Sequence, residues 1–104
     1  MKTGGNSFMA AEFKASDPDY AKVVRDSFAR QGLMTTLGAR IVTIEPGFCV
    51  IEMEYAPGVS QQQGFFHGGA IGAIADTAAG YAAYSLMPAG SEIPDRRIQA
   101  QSRA

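Results

Sequence analysis

His67-Gly68-Gly69, followed by Asp76 seven residues beyond the second glycine, is the part of this sequence whose residue types and spacing could do chemistry. A glycine pair that opens an apolar run suits a loop-to-helix junction. The first backbone N–H groups of a helix lack internal partners and lie at the positive end of its dipole. Having no side chains, Gly68 and Gly69 let a ligand approach those groups closely. A carbonyl oxygen docked there would be polarised as an oxyanion hole requires. The same pair also suits a plain junction with unusual dihedrals. Asp76 is the sharper signal, because no other charged side chain lies between Glu54 and Glu92. A lone carboxylate inside an apolar helix is costly unless it is paired or used. Its neighbours three and four residues away, Gly72, Ala73, Ala79 and Gly80, are all small. That face admits a close-packed helix or a slender ligand, and a structural carboxylate at a dimer interface is the other reading. His67 reads better as a loop-fixing histidine, bonded to a backbone carbonyl, than as a general base. Gln61, Gln62 and Gln63 could position a carbonyl or a water, or be simply solvated.

Several other chemistries are excluded. One cysteine, Cys49, and one histidine cannot assemble a zinc-type ligand cluster or an internal disulfide framework. Cys49 lies on the apolar side of a strand pattern with no charge or histidine beside it, so it reads as a small core residue and not a nucleophile. Ten acids against nine bases give a net charge of -1, so nothing points to nucleic acid or an anionic membrane. The start of the chain shows no signal-peptide pattern, and a reducing, cytoplasmic setting is expected.

The elements that must position these residues follow from periodicity. With 104 residues, 46% of them apolar and 18% charged, one globular domain is expected. Residues 1–15 read as a flexible lead-in. Ser16-Asp17-Pro18-Asp19 reads as a helix start capped by Ser16, and Tyr20, Val23, Val24 and Phe28 recur on one helical face. Gly32 either stops that helix or lies near its end. Strands follow over about residues 39–45 and 48–55, and Pro46-Gly47 between them predicts an antiparallel hairpin. The run from Ala70 to Met87 is apolar nearly all round. Three glycines among its first residues counted from Gly68, a bulk of alanine and Asp76 in mid-span argue for a helix wrapped inside protein and against a membrane span.

The stretch GFFHGGAIGAIADTAAGYAAYSLMPAG closely resembles the hotdog-fold acyl-CoA thioesterases of the phenylacetic-acid-degradation type, within the 4-hydroxybenzoyl-CoA-thioesterase-like superfamily. His67, Gly68, Gly69 and Asp76 fall on the family's His-Gly-Gly to Asp pattern, and Gly64 fits its loop. The resemblance covers roughly residues 18–92. It implies an α+β hotdog fold, a long helix wrapped by an antiparallel sheet, and a homodimer or homotetramer with the active site between subunits. It further implies that the N–H of Gly68, with Gly69 beside it, polarises the thioester carbonyl of an acyl- or aryl-CoA. Asp76, from the opposite subunit, then acts as general base or nucleophile, and His67 orders the loop. Gln61 stands where the family often has an Asn that holds water or substrate. No metal or cofactor is implied, coenzyme A being part of the substrate. Two alternatives remain: an inactive or merely acyl-binding protein, and a hotdog acyl-thioester dehydratase in which His67 is catalytic.

The chain departs from the family after residue 92. Residues 93–104 show no strand alternation, where family members continue into further strands. Shifting the reading frame of this tail forward by one base permits LTVEYKLNLV, an alternating, strand-like sequence. The expectation is a hotdog domain over residues 16–92, incomplete because a frameshift has replaced its C-terminal strands with a non-family tail.

Overall fold

The hairpin is the local structure most strongly dictated by sequence. Strand β1 spans Ala39–Glu45 and β2 spans Phe48–Met53, paired antiparallel about Pro46-Gly47. Gly47 takes a φ of 76°, in the region that favours glycine. A Cβ there would lie 2.8 Å from the Phe13 ring, so the segment before the first helix packs over the turn. Register pairs Ile41 with Ile51 and then Thr43 with Val50, so Val42 is bulged out of the ladder. Val42 is accordingly exposed. Arg40 and Glu52, cross-strand partners on the outer face, form an ion pair.

A computed structural model describes residues 13–91 of the protein. Helix α1 (Tyr20–Ala29) and a short α2 (Gly32–Leu37) precede the hairpin. A one-turn 3₁₀ segment (Pro57–Val59) and a loop follow it, and α3 (Gly68–Tyr84) closes the described part. The two-stranded sheet packs on α3, mostly through β2. The first twelve residues of the expected lead-in and the expected 93–104 tail lie outside the described residues.

Ser16 does not cap α1. The N-cap position is Asp19 and makes no side-chain cap. Ser16 Oγ instead donates to the Leu86 carbonyl at 3.3 Å, and the Asp17 carboxylate accepts from the Asp19 N–H at 2.8 Å. The Ser-Asp-Pro-Asp cluster thus builds a turn that leads into the helix, with Asp17 buried. Gly32 opens a second short helix, which ends where Gly38 adopts a φ of 68°. On α1 the expected apolar face forms in part: Val24 is fully buried and Tyr20 and Phe28 are half-buried, while Val23 is exposed.

Helix α3 departs from expectation in its surroundings. It spans Gly68–Tyr84, starting two residues before the expected Ala70–Met87 run and ending three residues short of its end, and it is not wrapped on all sides. Among its residues only Ala70 and Tyr81 are buried. Ile71 is 49% exposed, and Gly72, Ala75, Asp76, Ala79 and Ala83 are exposed at helical spacing with it. The physical reason is coverage: a two-stranded ribbon covers one side of a helix and leaves the opposite side open.

The C-terminal half of α3 is where the core is tied together. Tyr81, 5% exposed, packs its ring against Phe28 with centroids 6.2 Å apart. Its hydroxyl sits 2.9 Å from Ser27 Oγ and accepts from Gln31 Nε2 at 2.8 Å. Ser85, one residue past the helix and fully buried, accepts from the Gly47 N–H at 2.9 Å and donates to the Ala82 carbonyl at 2.7 Å. One hydroxyl therefore joins the hairpin turn to the end of the long helix.

Candidate active site

The site begins with the loop that delivers His67. Gln61 organises it: its side-chain oxygen accepts from the Gln63 N–H at 2.6 Å and the Phe65 N–H at 3.3 Å. The Gln61 N–H donates to the Phe65 carbonyl at 2.8 Å, and Gly64 turns the chain with a φ of 85°. Gln61, expected to hold a water or substrate, thus uses its side-chain oxygen inside the loop. The His67 N–H then donates to the Val59 carbonyl at 2.8 Å, fixing the chain where α3 starts.

His67 is the N-cap of α3, and the form of its bonding differs from expectation. Its ring does not meet a backbone carbonyl; Nδ1 accepts from the Gly69 N–H at 2.7 Å. An imidazole nitrogen here does the work usually left to Ser, Thr, Asp or Asn. The sequence carried a readable signal for this, a histidine two residues before a glycine at the head of an apolar run. Ala70 and Ile71 donate their N–H groups to the His67 carbonyl at 3.0 and 3.2 Å. Among the described residues no acceptor meets the Gly68 N–H. The expected Gly pair therefore divides: Gly68 offers an open donor, and Gly69 has given its donor to His67.

Asp76 lies two turns further along the same helix and is exposed. The desolvation cost expected for a carboxylate on an apolar helix is therefore absent in the chain by itself. Eight residues separate Gly68 from Asp76, a rise of about 12 Å at 1.5 Å per residue. The Gly68 N–H and the Asp76 carboxylate of one chain thus cannot meet on one carbonyl group. His67, Gly68 and Gly69 are brought together, and Asp76 lies two turns away along the same helix.

Other groups are quiet. Burial pushes the Cys49 thiol above its ordinary pKa, opposed only in part by the Arg25 charge, which suits a packing residue rather than a nucleophile. Among the described residues, no group of three His, Cys, Asp or Glu could hold a metal ion. No helix among them is long and apolar enough to cross a membrane. A cleft of about 410 Å³ runs between α2 and the hairpin, past Thr35, Gly38, Arg40, Glu52, Tyr55 and Val59, and no residue of the His67–Asp76 run lines it.

No protein-family model matches the chain, and no curated protein matches it. Among solved structures, the chain is similar to the crystal structure of a thioesterase family protein from Silicibacter pomeroyi. The two are 54% identical, with a TM-score of 0.64 over 65% of this chain and 50% of that one. The chain thus spans about half the length of the solved structure it matches. The mixed arrangement of helices and an antiparallel hairpin in this chain, together with that similarity, supports a thioesterase family of the hotdog-like kind.

Proposed function

We propose that the protein is an acyl-CoA thioesterase of the phenylacetic-acid-degradation type, hydrolysing an acyl- or aryl-CoA thioester to the free acid and coenzyme A. The observation that carries this reading is a long, otherwise uncharged helix that offers one open N–H at its start and one exposed carboxylate, Asp76, in its middle. The Gly68 N–H donates to the thioester oxygen as its charge grows in the tetrahedral intermediate. Asp76 supplies the base or nucleophile. These two groups of one chain are about 12 Å apart along the helix, which supports a site completed by the Asp76 of a second copy in a homodimer or homotetramer. The similarity to a thioesterase family protein supports the reaction class.

The test is thiol release from a panel of short-chain, medium-chain and aryl acyl-CoAs. Hydrolysis of one of them, lost in Asp76→Ala, is the expected result. Full activity in Asp76→Ala would remove Asp76 from the mechanism. Hydration of a 2-enoyl thioester without any thiol release would favour the dehydratase alternative instead.

A further inference from the structure

We propose that Phe65 and Ile71 are specificity-determining residues, which select an uncharged, apolar acyl group larger than acetyl. The proposal rests on the thioester reading above. Phe65 is the most exposed large apolar side chain among the described residues, at 68%. A loose loop is not the reason. The Phe65 N–H donates to Gln61 Oε1 at 3.3 Å, and its carbonyl accepts from the Gln61 N–H at 2.8 Å. Gly64 supplies the turn between them. The next residue is held the other way. Phe66 is half-buried, its ring edge-on to Tyr55 with centroids 5.3 Å apart. The loop thus anchors one ring of the pair and holds the other out. A ring fixed in water forgoes the gain of burial, which returns when something apolar covers it.

Position and charge point to what covers it. Phe65 stands three residues before Gly68, the donor to the thioester oxygen in the proposed reaction. Ile71, also exposed, stands three residues after Gly68 on the same helical face. A thioester carbonyl carries the acyl group on one side and sulfur on the other. The acyl group is the apolar part of that substrate, and the two large side chains flanking the donor are both apolar. Charge narrows the choice further. Between Glu54 and Glu92 the one charged side chain is Asp76, and it is negative. No Lys or Arg of this segment can pair with a carboxylate, so an acyl group that carries one, such as succinyl, is disfavoured. A group as small as acetyl leaves the Phe65 ring in water.

The experiment uses the full chain and two readouts. The first is calorimetric binding of two unreactive ketones, the acetonyl and phenacyl thioethers of coenzyme A. Phenacyl should bind about tenfold tighter than acetonyl, and Phe65→Ala and Ile71→Ala should each narrow that gap. The second is hydrolysis. On the wild type, kcat/KM for hexanoyl-CoA should exceed the values for acetyl-CoA and succinyl-CoA by about tenfold. Phe65→Ala should lower the hexanoyl value about tenfold and the acetyl value less than about twofold. Phe65→Leu, still apolar, should keep most of the preference. The melting temperature should not move, because the Phe65 and Ile71 side chains are exposed. An equal loss on hexanoyl-CoA and acetyl-CoA, a wild type that prefers succinyl-CoA, or no preference in either readout would overturn the proposal. So would a Phe65→Ala chain that sediments as a smaller species than the wild type, because the ring would then hold a second copy and not the acyl group. If the wild type hydrolyses none of the thioesters yet binds phenacyl over acetonyl through Phe65, the reading under Proposed function fails and the apolar acyl site stands. Hydrolysis without preference gives the reverse.

Discussion

The two halves of α3 are built from nearly the same residue types and are held in opposite ways. The C-terminal half is anchored by hydroxyls: Tyr81 reaches Ser27 and Gln31, and Ser85 reaches the Gly47 turn. The N-terminal half has one buried residue, Ala70, while Ile71 is 49% exposed and Asp76 is open. At one end side chains hold the helix to its own chain; at the other they leave a helix start and a carboxylate facing outward. A stretch of Ala and Gly is permissive, and the few larger or polar residues within it decide which part becomes anchor and which part becomes site.

The comparison predicts that substitutions at the two ends separate function from stability. The largest effect belongs to the open end. Asp76→Asn should lower thioester hydrolysis by about 100-fold or more, the scale of a lost general base, with an unchanged thermal melt because the carboxylate is exposed. A large fall in melting temperature would show that Asp76 supports the fold, and the contrast between the two ends would break.

At the anchored end the effects should appear in stability. Tyr81→Ala removes a buried ring and strands Gln31 and Ser27, and should cost about 3–5 kcal/mol in denaturant unfolding. Tyr81→Phe keeps the ring and loses only the hydroxyl, and should cost about 1–2 kcal/mol. If the two variants cost the same, the hydrogen bonds rather than the packing hold this end. Gly47→Ala tests the other side of the same anchor. It forces a side chain into a φ of 76° and against Phe13, and should cost about 1–3 kcal/mol.

The sequence made the elements legible where local chemistry decides them. Pro46-Gly47 between alternating strands marked the hairpin, and the bounds of β1 were readable from Ala39 to Glu45. The apolar run from Ala70 marked α3, and the His67-Gly68-Gly69 junction marked its start. What failed depends on long-range partners. Ser16 was the better capping residue by type, yet it pairs with Leu86, seventy positions away. The composition of the apolar run reads as a wrapped helix, yet only two strands are legible to cover it, and α3 is covered on one side. The roles within the junction were also hidden. Gly68 and Gly69 are identical in composition, and only the position of the His67 ring separates them.

The smallest effect should come from the outward face of α1, opposite the face that carries Ser27 to Tyr81. Lys22 donates to the Asp26 carboxylate at 2.6 Å, one turn away, with both side chains largely in solvent. The hydrogen bond to Asp26, and then its charge, raise the Lys22 pKa above the ordinary 10.5. A raised folded-state pKa means that the folded chain holds this proton more tightly than the unfolded one. The contribution is therefore complete below pH 10.5 and is lost as pH climbs through the higher folded-state value. Lys22→Gln should accordingly melt slightly below the wild type at about pH 8, with the gap closing in about 1 M salt. Each substitution at Tyr81 should exceed it. A Lys22→Gln shift as large as that of Tyr81→Phe would mean that α1 is held by its solvent-facing charges as much as by the buried network, and the anchor would have to be redrawn to include them.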